Sequence, residues 1–171
     1  MIHPIVMAGG RGERFWPYSN AKHPKQLLPL VTKKAMLEDT VDNIRKFKKR
    51  VDIRLIIGKN LEKPVKALVG KKPGIRIIAE PVGRNTAAAI ALAARLILRE
   101  DPQGVMLVLT ADHAIRPPEK FAQAMRAATV LAERGDCLVT FGIKPDRPDV
   151  GFGYIEVDGG EKPWKGCTVS R

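Results

Sequence analysis

Three glycines and two arginines stand directly behind the first apolar run of the chain, in "MAGGRGERFWP" (residues 7–17). Gly9, Gly10 and Gly12 carry no Cβ, so a loop of this composition can approach a phosphate closely and offer it consecutive N–H groups. Arg11 and Arg14 supply cations, and a guanidinium grips phosphate in bidentate fashion. The spacing is neither a Walker A sequence nor G-x-G-x-x-G. A plain surface turn is the other reading of the same residues. Farther on, "HPKQLLP" (23–29) contributes Lys25, which reads either as a mobile point charge for a phosphate or as a surface lysine.

Carboxylates come next. Asp112 closes the most apolar run of the chain, "GVMLVLTAD" (104–112). A charge there needs a partner. Mg²⁺ held by one or two carboxylates plus substrate phosphates is one candidate, and a helix cap or turn is the other. In "EPVGRNT" (80–86), Asn85 or Thr86 can cap the helix that follows. Glu80 fits capping less well. A carboxylate near a phosphate site is repulsive unless it accepts N–H groups, as from a base such as guanine. The histidines at 3, 23 and 113 show no metal-ligand spacing, and His113 reads as structural.

These residues need a scaffold that brings them to one place. Near-continuous apolar runs of strand length occur at 2–8, 52–58, 75–81, 104–112 and 137–142. Continuous rather than alternating hydrophobicity predicts parallel strands covered on both faces. Helical patterning lies between them, at 35–47, about 60–69, 86–100 and 117–134, the last opening on prolines and ending at Gly135. The alternation predicts a three-layer α/β fold with a mostly parallel sheet. In open α/β sheets ligands bind beyond the carboxyl ends of the strands. The glycine loop, "EPVGRNT", "TADH" and "KPDRPDVGFGY" (144–154) are each expected at such an end. After Gly142 the chain turns rich in Gly, Pro and Asp and reads as loops plus one short strand, "GYIEV". An α/β core over 1–145 and the start of a further subdomain over 146–171 follow as the expected organisation.

Composition narrows the partners. The 171 residues are 44% hydrophobic and 28% charged, as in ordinary soluble proteins. No run is long enough to span a membrane, no signal peptide is recognisable, and two cysteines do not make a disulfide framework. A cytoplasmic protein is the expectation. The net charge of +12 is concentrated early: 18 Lys and Arg against 7 Asp and Glu in residues 1–80, and 12 against 11 afterwards. A basic first half points to an anionic partner. The densest run, "RKFKKR" (45–50), reads as the solvated carboxyl end of a helix. Nucleic acid is disfavoured, because aromatic residues make up only 5% and none alternate with basic residues.

Taken in order, "VMAGGRGERFWPYS…HPKQLLPL", "EPVGRNTAAAIALAA", "TADHAI" and "FGIKPDRPDVGFGYI" resemble the blocks of the mannose-1-phosphate guanylyltransferase (GDP-mannose pyrophosphorylase) family, over most of residues 4–155. The resemblance implies a Rossmann-like nucleotidyltransferase fold that converts GTP and mannose 1-phosphate to GDP-mannose and pyrophosphate with Mg²⁺. It assigns Ala8, Gly9, Gly10, Gly12 and Arg14 to the triphosphate. Lys25 falls near the reacting phosphate, so Arg14 and Lys25 are the expected catalytic cations. Glu80, Asn85 and Thr86 fall near guanine, Asp112 at the metal, and Gly153 and Tyr154 beside the sugar. A homodimer is left open as the assembly. The chain departs from the family pattern at Ala88 and Thr110, where proline is usual. The resemblance also implies a later segment, roughly F-V-E-K-P, and a second metal-binding Asp beyond Arg171. On that ground the chain reads as truncated, either a fragment or a natural short form with an incomplete site, and nucleotide binding with little or no turnover is the alternative expectation.

Overall fold

The computed structural model describes residues 1–10, 15–20, 23–135 and 137–155. Four parallel strands form one sheet: β1 (Ile2–Met7), β2 (Ile53–Gly58), β3 (Ile75–Glu80) and β4 (Val105–Thr110), in the order β3-β2-β1-β4. β1 is central, with Val6 opposite Leu55 on one side and Leu109 on the other. Among the described residues four α-helices cover the sheet: α1 (Met36–Phe47), α2 (Glu62–Val69), α3 (Asn85–Glu100) and α4 (Pro118–Arg134), of which the first three each link successive strands.

Strand parity sorts the core into two layers. Val6, Ile53, Leu55, Ile57, Leu107 and Leu109 face α1, α2 and α4 in the larger cluster. Within it α1 supplies Leu37, Val41 and Ile44, all fully buried, at the i, i+4, i+7 spacing of one helical face. Each such side chain contributes about 1.5–3 kcal/mol through removal from water. The alternate residues Ile5 and Ile56 face α3, which packs on them through Ala89, Ala93 and Ile97. Small alanines along that seam let the helix lie close to the sheet. Among the described residues no helix is long and apolar enough to cross a membrane.

The expected fifth strand is absent. Residues 137–142 carry no strand, and Leu138 is fully exposed. The segment is β-prone by composition, but a strand exists only where a ladder accepts it. Here the segment instead docks by one ring, Phe141 meeting Phe121 of α4 edge-on at 6.3 Å. The short strand expected at "GYIEV" is likewise missing over residues 153–155, and its last two residues lie outside the described ones.

Candidate nucleotide site

Three of the four expected segments do converge at the carboxyl edge of the sheet. Gly9 and Gly10 follow β1, Glu80 ends β3, and Asp112 lies two residues beyond β4. The chain leaves β1 through Ala8, which is buried and donates its N–H to Ile56 O at 2.8 Å. Gly9 then passes so close to Glu80 that a Cβ at Gly9 would lie 3.0 Å from Glu80 Oε2. Gly58 N lies 3.6 Å from the same point, and Gly58 is the register partner of Glu80. Glycine at position 9 is therefore what lets the buried carboxylate of Glu80 stand beside the loop. Gly12 and Arg14 lie outside the described residues.

A second element holds the loop from the other side. Residues Lys25–Leu27 form a single 3₁₀ turn. Gln26, 2% exposed, donates both amide hydrogens into the loop, to Ala8 O at 2.7 Å and Gly10 O at 3.0 Å. Sequence reasoning passed over Gln26. Its only sequence signal is its place beside Lys25 in "HPKQLLP". Removing it leaves two loop carbonyls without their partner, at a cost of about 1–3 kcal/mol. Gln26→Ala is thus expected to lower the unfolding free energy measured by denaturant titration by that amount and to weaken GTP binding in calorimetry. An unchanged GTP affinity would show that the loop keeps its shape without the clamp.

The same turn aims Lys25 at Asp112. Lys25 Nζ lies 2.6 Å from Asp112 Oδ2 and 5.5 Å from the centre of the Phe15 ring. His113 Nε2 stands 3.8 Å from the other carboxylate oxygen. Burial pushes the Asp112 carboxyl up, but the Lys25 hydrogen bond and charge, with a smaller contribution from His113, outweigh it and hold the carboxyl below its ordinary range. Thr110 adjoins the pair. Its buried hydroxyl comes near enough to Asp112 to assist slightly, yet makes no well-formed hydrogen bond. Asp112 is therefore an ion-paired carboxylate at the strand end rather than a helix cap. The arrangement is an ionised carboxylate and an ammonium, adjacent, beside a loop of exposed glycine amides. An incoming phosphate can take the ammonium and leave the carboxylate for a cation.

The remaining predicted residues divide. Asn85 and Thr86 open α3, but the capping position is Arg84, and no side-chain cap bond is made there. Neither side chain has a hydrogen-bond partner among the described residues, and both are exposed. Asn85 takes φ +63°, a left-handed conformation that asparagine tolerates better than most residues. Capping, then, does not explain either residue. Gly153 and Tyr154 do not join the cluster. The Tyr154 hydroxyl accepts from Asp149 N at 2.8 Å and donates to Asp149 O at 3.0 Å, closing its own loop. That loop follows no strand, which corrects the expectation that it sits at a strand end.

Comparison with known proteins agrees with this fold. The nucleotidyl transferase family model matches residues 3–168. The chain belongs to that family. Among curated relatives, mannose-1-phosphate guanylyltransferase of Salmonella montevideo is 43% identical over 162 residues, covering 91% of this chain and 32% of the relative. The enzyme of the same name from Escherichia coli (strain K12) is 42% identical, covering 99% and 37%. A crystal structure from Thermus thermophilus, described as a mannose-1-phosphate geranyltransferase, superposes with a TM-score of 0.83 at 34% identity, covering 98% of this chain and 48% of that one. The chain thus spans about a third of the length of these curated relatives. The family's three-layer α/β fold is the one described above.

Proposed function

We propose that the chain forms the GTP-binding side of a guanylyl transfer to mannose 1-phosphate, yielding GDP-mannose and pyrophosphate. The observation that carries this reading is the Lys25–Asp112 pair standing beside the Gln26-held glycine loop, in a chain of the nucleotidyl transferase family. The names of the relatives supply the base and the sugar.

In this reading the sugar phosphate oxygen attacks the α-phosphorus of GTP in line. A new P–O bond forms, the bond to the bridging oxygen of the β-phosphate breaks, and pyrophosphate leaves. No protein nucleophile is required. The amides of Gly9 and Gly10, with Gly12 and Arg14, hold the triphosphate, while Lys25 neutralises charge near the reacting phosphorus. Catalysis is then positioning and electrostatics. Asp112 is the carboxylate to hold Mg²⁺. Among the described residues no cluster of three ligating side chains exists. A lone ionised carboxylate suits Mg²⁺, which keeps its waters and takes few protein ligands beside substrate phosphates. Bound there, the ion would screen the triphosphate. Glu80 is assigned to guanine, whose N1–H and N2–H are donors that a carboxylate can accept and that adenine does not present in the same way. Asn85 and Thr86 are assigned to the same base. The half-exposed ring of Tyr154, with Gly153, is assigned to the sugar.

The test is a pair of calorimetric titrations. GTP is expected to bind at least about tenfold more tightly than ATP, since unpaired buried polar groups penalise the wrong base. Equal affinities would remove the guanine assignment. Pyrophosphate release that needs both GTP and mannose 1-phosphate would carry the acceptor assignment, and equal release with glucose 1-phosphate would remove the sugar.

A further inference from the structure

We propose a second anion site, at the opposite edge of the sheet, built for a small soluble polyanion bearing two or more phosphate groups. A cavity of about 1040 Å³ opens at the amino-terminal ends of the strands, between the end of α1, the start of β2 and the end of α3. Six-residue strands separate it from the Lys25–Asp112 pair by roughly 20 Å. A ligand held there cannot touch the reacting phosphorus, so the proposal does not rest on the function argued above.

Charge decides what the cavity can hold. Seven cationic groups line it, the chain's own amino terminus among them, against three carboxylates. Those carboxylates are already engaged. Asp101 pairs with the amino terminus at 3.1 Å and with His3 Nε2 at 2.8 Å. Glu100 pairs with Arg54 and with Arg76, and Asp52 pairs with Arg76. Arg54 is 3% exposed and also donates to His3 Nδ1 at 2.9 Å. A guanidinium has no hydrogen-bond acceptor, so His3 Nδ1 accepts from Arg54 and Nε2–H donates to Asp101. The floor is thus a fixed, internally neutralised network. Gly104 packs directly against the His3 ring, since a Cβ there would lie 2.6 Å from it.

The rim is different. Lys48, Lys49 and Arg50 are consecutive, exposed and lining the cavity, and have no ion-pair partner among the described residues. They are the end of the run "RKFKKR", which sequence alone reads as a solvated helix terminus. Three adjacent cations on the wall of a concavity repel one another and focus a positive potential into it. An anion with charge on several neighbouring phosphates relieves that repulsion, and one phosphate spans only part of the rim. Among the described residues no Phe, Tyr or Trp lines the cavity and the His3 ring is buried in the floor network, so nucleobases find little surface on which to stack.

The experiment is calorimetric titration of the 171-residue chain with inorganic tripolyphosphate. It compares the unaltered protein, the triple variant Lys48→Gln, Lys49→Gln, Arg50→Gln, and Lys25→Ala. Circular dichroism checks the fold of each variant. Tripolyphosphate is expected to bind, to keep a tight component in Lys25→Ala, and to lose about tenfold or more in affinity in the triple variant. Lys49→Gln alone, should the triple variant not fold, is expected to lose about threefold. No binding to the unaltered protein overturns the proposal. So does binding that is lost in Lys25→Ala and kept in the triple variant, and so does orthophosphate binding as tightly as tripolyphosphate. An oligonucleotide or anionic vesicles binding more tightly than tripolyphosphate, through the same three residues, would assign the rim to nucleic acid or membrane and likewise overturn it.

Discussion

Asp112→Ala is expected to abolish the strengthening of GTP binding by Mg²⁺ and to slow guanylyl transfer by on the order of a hundredfold or more, the scale of losing one preorganised electrostatic group. Asp112 is the carboxylate that the fold delivers to the loop edge in ionised form, held so by Lys25 against the pull of burial. Glu80 also stands at the loop, but on the β3 side, against Gly9. The check is GTP titration with and without Mg²⁺, on Asp112→Ala and on Asp112→Asn, which keeps the side-chain size. An Mg²⁺ effect unchanged in both variants would take the metal role from Asp112. The fold should survive either change, because the pair is partly solvated, with Asp112 31% and Lys25 24% exposed.

What the sequence disclosed and what it withheld follow from where the information resides. The four strands and four helices were legible because each is locally consistent. Runs such as "GVMLVLT" are apolar on both faces, and "TAAAIALAARLILRE" is made of helix formers. The segment "CLVTFG" carries the same local signal, yet pairing is decided by the neighbour, and the segment meets α4 through Phe141 on Phe121 instead of joining the sheet. Site residues divide the same way. Gly9 and Asp112 announce themselves by type at a strand end. Gln26 does not, because a glutamine in a loop is ordinary until tertiary structure places the loop carbonyls of Ala8 and Gly10 against it. The Lys25–Asp112 pair joins residues 87 positions apart and has no signature in either local sequence. The basic cavity was hidden for the same reason. "RKFKKR" is visible as a charge run, but the concavity it borders is assembled from β1, β2 and the end of α3 as well.

Lys25→Ala separates the phosphate role of this lysine from its structural one. Charge-assisted contacts to phosphate contribute roughly 1.5–3 kcal/mol, so GTP binding should weaken by about tenfold or more. Guanosine, which has no phosphates, should bind Lys25→Ala and the unaltered chain equally. An equal loss for both would mean that Lys25 acts on the loop and not on the triphosphate. The variant also changes acid stability in a defined direction. In the native pair the Asp112 carboxyl is held below its ordinary value, so its contribution to stability is present above about pH 4 and is lost as pH falls through the lowered value. Without the ammonium, burial remains and pushes the carboxyl up. A carboxyl held above its unfolded value takes up its proton more readily in the folded state, so the variant should lose less stability than the native chain on acidification. Thermal midpoints measured from about pH 7 down to about pH 3 report this directly. Parallel curves, offset but unchanged in shape, would show that Lys25 does not set the Asp112 titration and that the 2.6 Å contact adds nothing in solution.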